Sequence, residues 1–302
     1  MKSFRLWPVV AIFWFSVCCL MLAASPCVLA GERLVLVGGG KRPVQAVARF
    51  VDWAGGSEAR IVIIPWASGE PQESYDALAK EINEHHPAAV ECAPFAPLTA
   101  ESKARFLAQL KTAGGVFFTG GDQSRIMDVL ADATLLAELR HRYTEGTVFG
   151  GTSAGTAIMS RIMLTGDGDF EVIDGGKVVT REGLGLLPNT IVDQHFIKRQ
   201  RENRLFGLVL QHPEALGIGV DEDNALLVME NRYAEAIGPT QVMMVDGKAR
   251  RGALTVYLVH SGEKFDLVKR QPIGFRVQGS WVEKRPNGIK KTKNSKTLNS
   301  EP

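Results

Sequence analysis

The residues with the clearest chemical potential lie in one short stretch. Phe149-Gly-Gly-Thr-Ser153-Ala-Gly155 sets a serine among small residues, with an apolar run before it and a helical pattern after it. Its centre, Gly151-Thr-Ser153-Ala-Gly155, fits G-x-S-x-G, the pattern of a nucleophile elbow. The spacing has a steric reason. A serine at the apex of a sharp strand-to-helix turn points its oxygen away from the sheet, and the turn closes only if the residues two positions either side are small. That oxygen then faces a helix N-terminus, whose free N–H groups favour negative charge. Without chemistry, the same residues are a tight turn that lets a helix pack closely on a sheet.

A serine nucleophile needs a base. His85 and His86 end a polar helical segment, His141 lies among Arg and Tyr, and His212 and His260 stand at element ends. His195 differs. It closes Ile191-Val-Asp193-Gln194-His195, where two polar groups end an apolar run. Farther on, Gly217-Ile-Gly-Val220 leads into Asp221, Glu222 and Asp223. One of these acids can orient the imidazole and stabilise its charged form, as the acid of a triad does. The order serine, histidine, acid departs from the serine, acid, histidine order of the α/β-hydrolases, so the elbow matches while that family does not.

The elements that must position these residues follow from hydrophobic patterning. Apolar runs at 33–37, 59–64, 90–95 and 115–118 alternate with helical patterns at 43–53, 73–85, 101–112 and 124–142. Such alternation predicts an α/β fold, a mostly parallel sheet with helices on both faces. The strands are continuous runs of Val, Ile, Leu and Phe, as strands covered on both faces should be. From Leu216 onward, strand patterns at 225–230, 241–245 and 255–260 are separated by turn residues, which predicts an antiparallel C-terminal extension of the same domain. Ligands of such sheets bind at the carboxyl ends of the strands. Three glycine turns fall there: Gly38-Gly39-Gly40, Gly120-Gly121-Asp122 and Gly150-Gly151-Thr152. None opens a G-x-G-x-x-G or P-loop fingerprint, which weighs against a nucleotide site.

Bulk properties bound the rest. Lys2 and Arg5 precede an apolar run from Leu6 to about Ala24, and Val28-Leu29-Ala30 supplies small residues at cleavage spacing. Residues 1–30 read as a secretory signal peptide, which places the protein in the periplasm or outside the cell without stable membrane association after cleavage. Cys18, Cys19 and Cys27 leave with that segment, so Cys92 alone remains and no internal disulfide is expected. Cys92 lies in a strand-like context and reads as a packing residue. Residues 31–283 carry 27 basic and 32 acidic side chains and read as a single α/β domain. Residues 284–302 carry six Lys/Arg against one Glu, with few apolar residues, and read as a basic, disordered tail. No His/Cys cluster points to a metal, and nothing points to an organic cofactor or to nucleic acid as a partner. Oligomeric state is not legible; a homodimer is compatible with the sequence.

VFFTGGDQ at 116–123, FGGTSAG at 149–155, DQHF at 193–196 and GIGVDED at 217–223 together resemble the cyanophycinases, serine peptidases related to the aspartyl dipeptidases. The resemblance covers about residues 33–262. It implies a fold like the class I glutamine amidotransferases and an exopeptidase that releases β-Asp-Arg from cyanophycin, a poly-aspartate with arginine on each side chain. It implies Ser153 as nucleophile, His195 as base and Glu222 as acid, with Asp221 in reserve. It implies a substrate pocket lined by Gln123, Asp193, Gln194, Arg199, Arg201 and Arg204. The basic run at 198–204 fits that pocket, since arginine grips carboxylate through paired hydrogen bonds, while Asp193 is suited to a substrate guanidinium. The oxyanion donors would be the N–H of Ala154 and one from the Gly120-Gly121 turn, with Gly121 preferred. Thr156 stands where the pattern has alanine, and the residues between the arginines differ. Relatives acting on short aspartyl or isoaspartyl peptides, or a non-catalytic binding protein of the same fold, are the competing readings. A glutamine amidotransferase is disfavoured because serine stands where that class uses cysteine.

Overall fold

The computed structural model describes residues 31–169, 171–249, 251–277, 280–285 and 288–291. The leader segment 1–30 and residues 292–302 of the basic tail lie outside the described residues. In chain order the first half contains β1 (Arg33–Val37), α1 (Val44–Trp53), β2 (Arg60–Ile64), α2 (Pro71–Asn83), β3 (Ala89–Cys92), α3 (Ala100–Thr112) and β4 (Gly115–Phe118). There follow α4 (Gln123–Val129), α5 (Ala133–Thr144), β5 (Val148–Thr152) and α6 (Ala154–Ala157). The second half contains β6 (Ile162–Gly168), β7 (Val178–Glu182), β8 (Thr190–Gln194), α7 (Glu202–Gln211), β9 (Leu216–Val220), β10 (Ala225–Met229), β11 (Tyr233–Ile237), β12 (Gln241–Asp246) and β13 (Thr255–His260). Short strands β14 (Lys264–Asp266) and β15 (Gln271–Ile273) come next, then β16 (Phe275–Val277), β17 (Ser280–Arg285) and β18 (Gly288–Lys291).

The main sheet has nine strands in the order β15-β14-β11-β10-β1-β5-β4-β2-β3. Its half from β1 to β3 is parallel, as the alternating pattern predicts, and its strands β1, β5, β4 and β2 are buried on both faces, while the edge strand β3 is half-buried. One core packs Leu36, Phe118 and Phe149 beneath α3 and α5, and the other packs Val35, Phe50 and Phe117 beneath α1 and α2. The β10–β11–β14–β15 half is antiparallel. The mixed α/β architecture is the one read from the sequence, and it is consistent with the amidotransferase-like arrangement.

Three expectations are corrected. The helical pattern at 124–142 is two helices, because Asp132 caps a new N-terminus, its carboxylate accepting from Thr134 N at 2.9 Å and Leu135 N at 3.4 Å. The C-terminal strands do not form one extension. β9, β12 and β13 join β8 in a separate four-stranded sheet, in which β8 and β9 run parallel. Residues 284–285 and 288–291 belong to β17 and β18, across the boundary at 283 where composition places the start of a disordered tail.

Candidate active site

The elbow forms as its spacing requires. β5 lies inside the main sheet, between β1 and β4, and ends at Thr152; α6 begins at Ala154. Ser153 joins them with φ 53° and ψ −112°, a conformation non-glycine residues rarely adopt. The surrounding glycines permit it by close approach. A Cβ on Gly151 would stand 2.2 Å from the Gly155 backbone, and one on Gly155 would stand 2.3 Å from the Phe118 carbonyl. Thr156, the departure from the expected alanine, is fully buried. Its hydroxyl is shared between the carbonyl oxygens of Val37 at 2.7 Å and Gly151 at 2.8 Å, which ties α6 to the end of β1.

The base and acid come from the second sheet. β8 and β9 are adjacent and parallel, so His195 and Glu222, each just past its strand, emerge at the same edge. Ser153 Oγ lies 2.8 Å from His195 Nε2, and His195 Nδ1 lies 2.6 Å from Glu222 Oε1. This is the serine, histidine, acid relay expected from the motifs. Asp221 takes no part in it; its carboxylate accepts from the Lys198 N–H at 2.9 Å and fixes the turn after His195. Burial pushes the His195 pKa below its ordinary value. The hydrogen bond that His195 Nδ1 donates to the Glu222 carboxylate opposes that shift, and the nearby Arg199 charge adds to it. The imidazole is therefore neutral near pH 7 and able to accept a proton.

The two sheets meet through the glycine turn after β1. His195 N donates to Gly38 O at 2.8 Å, Asp223 N donates to Gly39 O at 2.9 Å, Gly38 N donates to Asn224 O at 3.0 Å, and Ser153 N donates to Val37 O at 3.0 Å. A Cβ on Gly39, whose φ is +124°, would sit 2.2 Å from His195 Cε1. The turn read as a ligand cradle is thus a seat for the imidazole. Its three consecutive glycines were the only sequence signal, and they do not distinguish those uses.

The N–H of Ala154 opens α6 and has no acceptor within the helix. Gly120 lies against the nucleophile, since a Cβ placed on it would be 3.8 Å from Ser153 Oγ. Gly121, at φ +135°, could carry no Cβ without meeting the Ala67 carbonyl at 2.1 Å. Ala154 thus directly follows the nucleophile, and the Gly120-Gly121 turn passes beside Ser153 at Gly120.

The proposed substrate residues separate into groups. Asp193 and Arg204 are paired with each other. Arg204 Nε donates to Asp193 Oδ2 at 2.7 Å and its Nη2 donates to Oδ1; both side chains are 1% exposed. The two residues expected to meet a substrate guanidinium and a substrate carboxylate are thus brought together with each other, as a buried ion pair. Gln123 is buried and donates to the Leu164 carbonyl at 2.7 Å. Gln194 reaches the nucleophile, with Oε1 3.5 Å from Ser153 Oγ. Arg201 donates to the Gln194 carbonyl at 2.8 Å, and burial beside Arg204 pushes its pKa down to about 10, so it stays charged at neutral pH. Arg199 is exposed on the turn before α7. Cys92 lies on β3, away from this site, and burial pushes its thiol up to about 11, in keeping with a packing role. Among the described residues no group of three or more His, Cys, Asp or Glu side chains could hold a metal ion, and no helix is long and apolar enough to cross a membrane.

A strained serine at a strand-to-helix turn, a neutral histidine in contact with it and a carboxylate behind the histidine define a serine hydrolase on an α/β scaffold. The family model "Peptidase family S51" matches residues 34–236. The chain is 36% identical over 222 residues to a cyanophycinase of Geminocystis herdmanii, covering 72% of this chain and 82% of that protein. It is 36% identical over 256 residues to a cyanophycinase of Trichormus variabilis, covering 78% and 86%. The crystal structure of a peptidase from an acI-B1 Actinobacterium superposes with a TM-score of 0.61 at 22% identity, over 78% of this chain and 97% of that one, and shares the fold. The chain belongs to peptidase family S51 and is a serine-type peptidase.

Proposed function

We propose that the protein is an exported cyanophycinase, an exopeptidase that cleaves cyanophycin to β-Asp-Arg dipeptides through an acyl-enzyme. The observation that carries the catalytic part is the relay Ser153 Oγ–His195 Nε2–Glu222, at 2.8 and 2.6 Å. Ser153 Oγ attacks the scissile carbonyl while its proton passes to His195 Nε2. The oxyanion is held by the Ala154 N–H and a donor of the Gly120-Gly121 turn. Collapse breaks the C–N bond, and the imidazolium returns the proton to the leaving amine. Water, deprotonated by the same imidazole, then hydrolyses the Ser153 ester. The substrate assignment rests on the 34–36% identity to cyanophycinases and on the positive charges of Arg199 and Arg201, in the turn that follows His195. Export rests on the leader pattern at 1–30, which places the enzyme in the periplasm or outside the cell.

The test is incubation of the protein, wild type and Ser153→Ala, with cyanophycin and separately with short β-aspartyl peptides, with products identified by mass spectrometry. Release of β-Asp-Arg by wild type alone is expected. Turnover of the short peptides without turnover of the polymer, or full activity in Ser153→Ala, would overturn the assignment.

A further inference from the structure

None of the six substrate residues named from the motifs lines the cavity that opens directly onto Ser153 and His195. That cavity, of about 250 Å³, lies between the turn after β1, one face of α2 and the turn after β4. Its polar side chains include Arg42, Ser74 and Thr119, and Gly120, Ser153 and His195 also line it. No carboxylate lines it.

Two features mark it as a binding site. Arg42 is held in place from behind: Nε donates to Glu81 Oε2 at 2.6 Å and Nη2 to Oε1 at 2.5 Å, and its side chain is 17% exposed. The remaining nitrogen, Nη1, makes no hydrogen bond among the described residues. Thr119 is 3% exposed, and its Oγ1 is one of the few buried polar side-chain atoms with no partner among the described residues. A buried hydroxyl left unmatched beside a reacting serine costs stability unless a ligand supplies its partner. Glu81 occupies two of the guanidinium's nitrogens and leaves Nη1, so Arg42 and Thr119 together offer donors suited to the oxygens of a ligand carboxylate.

We infer that this cavity is the leaving-group subsite, in which Arg42 and Thr119 bind the free main-chain carboxylate at the end of the polymer. The proton returned by His195 goes to the leaving amine, so the leaving residue must lie on the imidazole side of Ser153, where the cavity opens. An interior unit of the chain carries a neutral amide at the corresponding position and gains nothing from Arg42. Chain-end selection then comes from charge. This inference rests on the substrate assigned above.

Binding to the Ser153→Ala protein separates it from turnover. The ligand is a two-unit fragment, (β-Asp-Arg)₂, with either a free main-chain carboxylate or a terminal amide, and the readout is calorimetry. The free acid is expected to bind about 10- to 100-fold more tightly than the amide, the range of one charge-assisted hydrogen-bonded contact. Adding Arg42→Gln should remove that preference, Arg42→Lys should restore part of it, and Thr119→Val should reduce it even if Arg42→Gln proves unstable. Equal binding of acid and amide to Ser153→Ala overturns the inference while leaving the substrate reading intact. A preference retained in both Arg42→Gln and Thr119→Val also overturns it. Binding of neither fragment overturns the substrate reading and the subsite with it.

Discussion

Replacing Glu222 by Gln isolates the electrostatic part of the relay, because the amide nearly matches the carboxylate in shape. The imidazolium formed when Ser153 gives up its proton lies against Glu222, with Nδ1 and Oε1 2.6 Å apart. Centres of charge about 4 Å apart attract by about 4 kcal/mol at an effective dielectric of about 20. The Glu222 side chain is 29% exposed, so solvent screens part of this and leaves roughly 2–4 kcal/mol. At 1.36 kcal/mol per decade, kcat/KM should fall about 30- to 1,000-fold. The pH profile should move as well. Glu222 raises the His195 pKa against the effect of burial, so its neutralisation lowers that pKa further. Activity needs the neutral imidazole, and the acid limb of kcat/KM should therefore shift to lower pH. The assay is the initial rate of dipeptide release across pH, with Asp221→Asn as the comparison. A loss under about threefold, an acid limb that moves upward, or a larger loss in Asp221→Asn would refute the assignment of Glu222 as the acid.

Three further outcomes follow from the same geometry. Arg199→Gln removes an exposed positive charge that depresses the His195 pKa, so the acid limb should shift to higher pH, opposite to Glu222→Gln, and the shift should shrink at high salt. Gly39→Ala would put a methyl 2.2 Å from His195 Cε1 in a backbone conformation that alanine avoids. A displacement of the ring by about 1 Å should lower kcat about 10²-fold with the fold retained, as judged by circular dichroism and steady-state rates. Asp193→Asn leaves the Arg204 guanidinium buried without its carboxylate and should cost roughly 3–5 kcal/mol in urea unfolding, whereas a loss below about 1 kcal/mol would contradict the buried-pair description.

Local patterns carried most of the catalytic assignment. The small residues around Ser153 are dictated by a turn that tolerates no larger side chain, so they are visible in five consecutive letters. His195 was legible because it follows an apolar strand that ends in polar residues, and the same contrast narrowed the acid to Asp221, Glu222 or Asp223, among which the family resemblance pointed to Glu222. The parallel core was legible for a similar reason: strands buried on both faces must be apolar throughout. The break at Asp132 escaped because a cap residue inside a continuous helical pattern is a weak signal next to the apolar spacing around it.

What the sequence determined by itself is therefore the identity of the reacting groups and the alternation of strand and helix, since both depend on residues close together in the chain. The tertiary structure alone decided how those groups combine. It put the nucleophile on one sheet and its base and acid on another, and joined them through the Gly38-Gly39-Gly40 turn. It paired Asp193 with Arg204, which as isolated letters read as two charges available to substrate. It also brought Arg42, Ser74 and Thr119, from three separate segments, to one cavity beside Ser153. Charge pairing and cavity walls depend on distances between residues remote in sequence, and those distances exist only once the chain has folded.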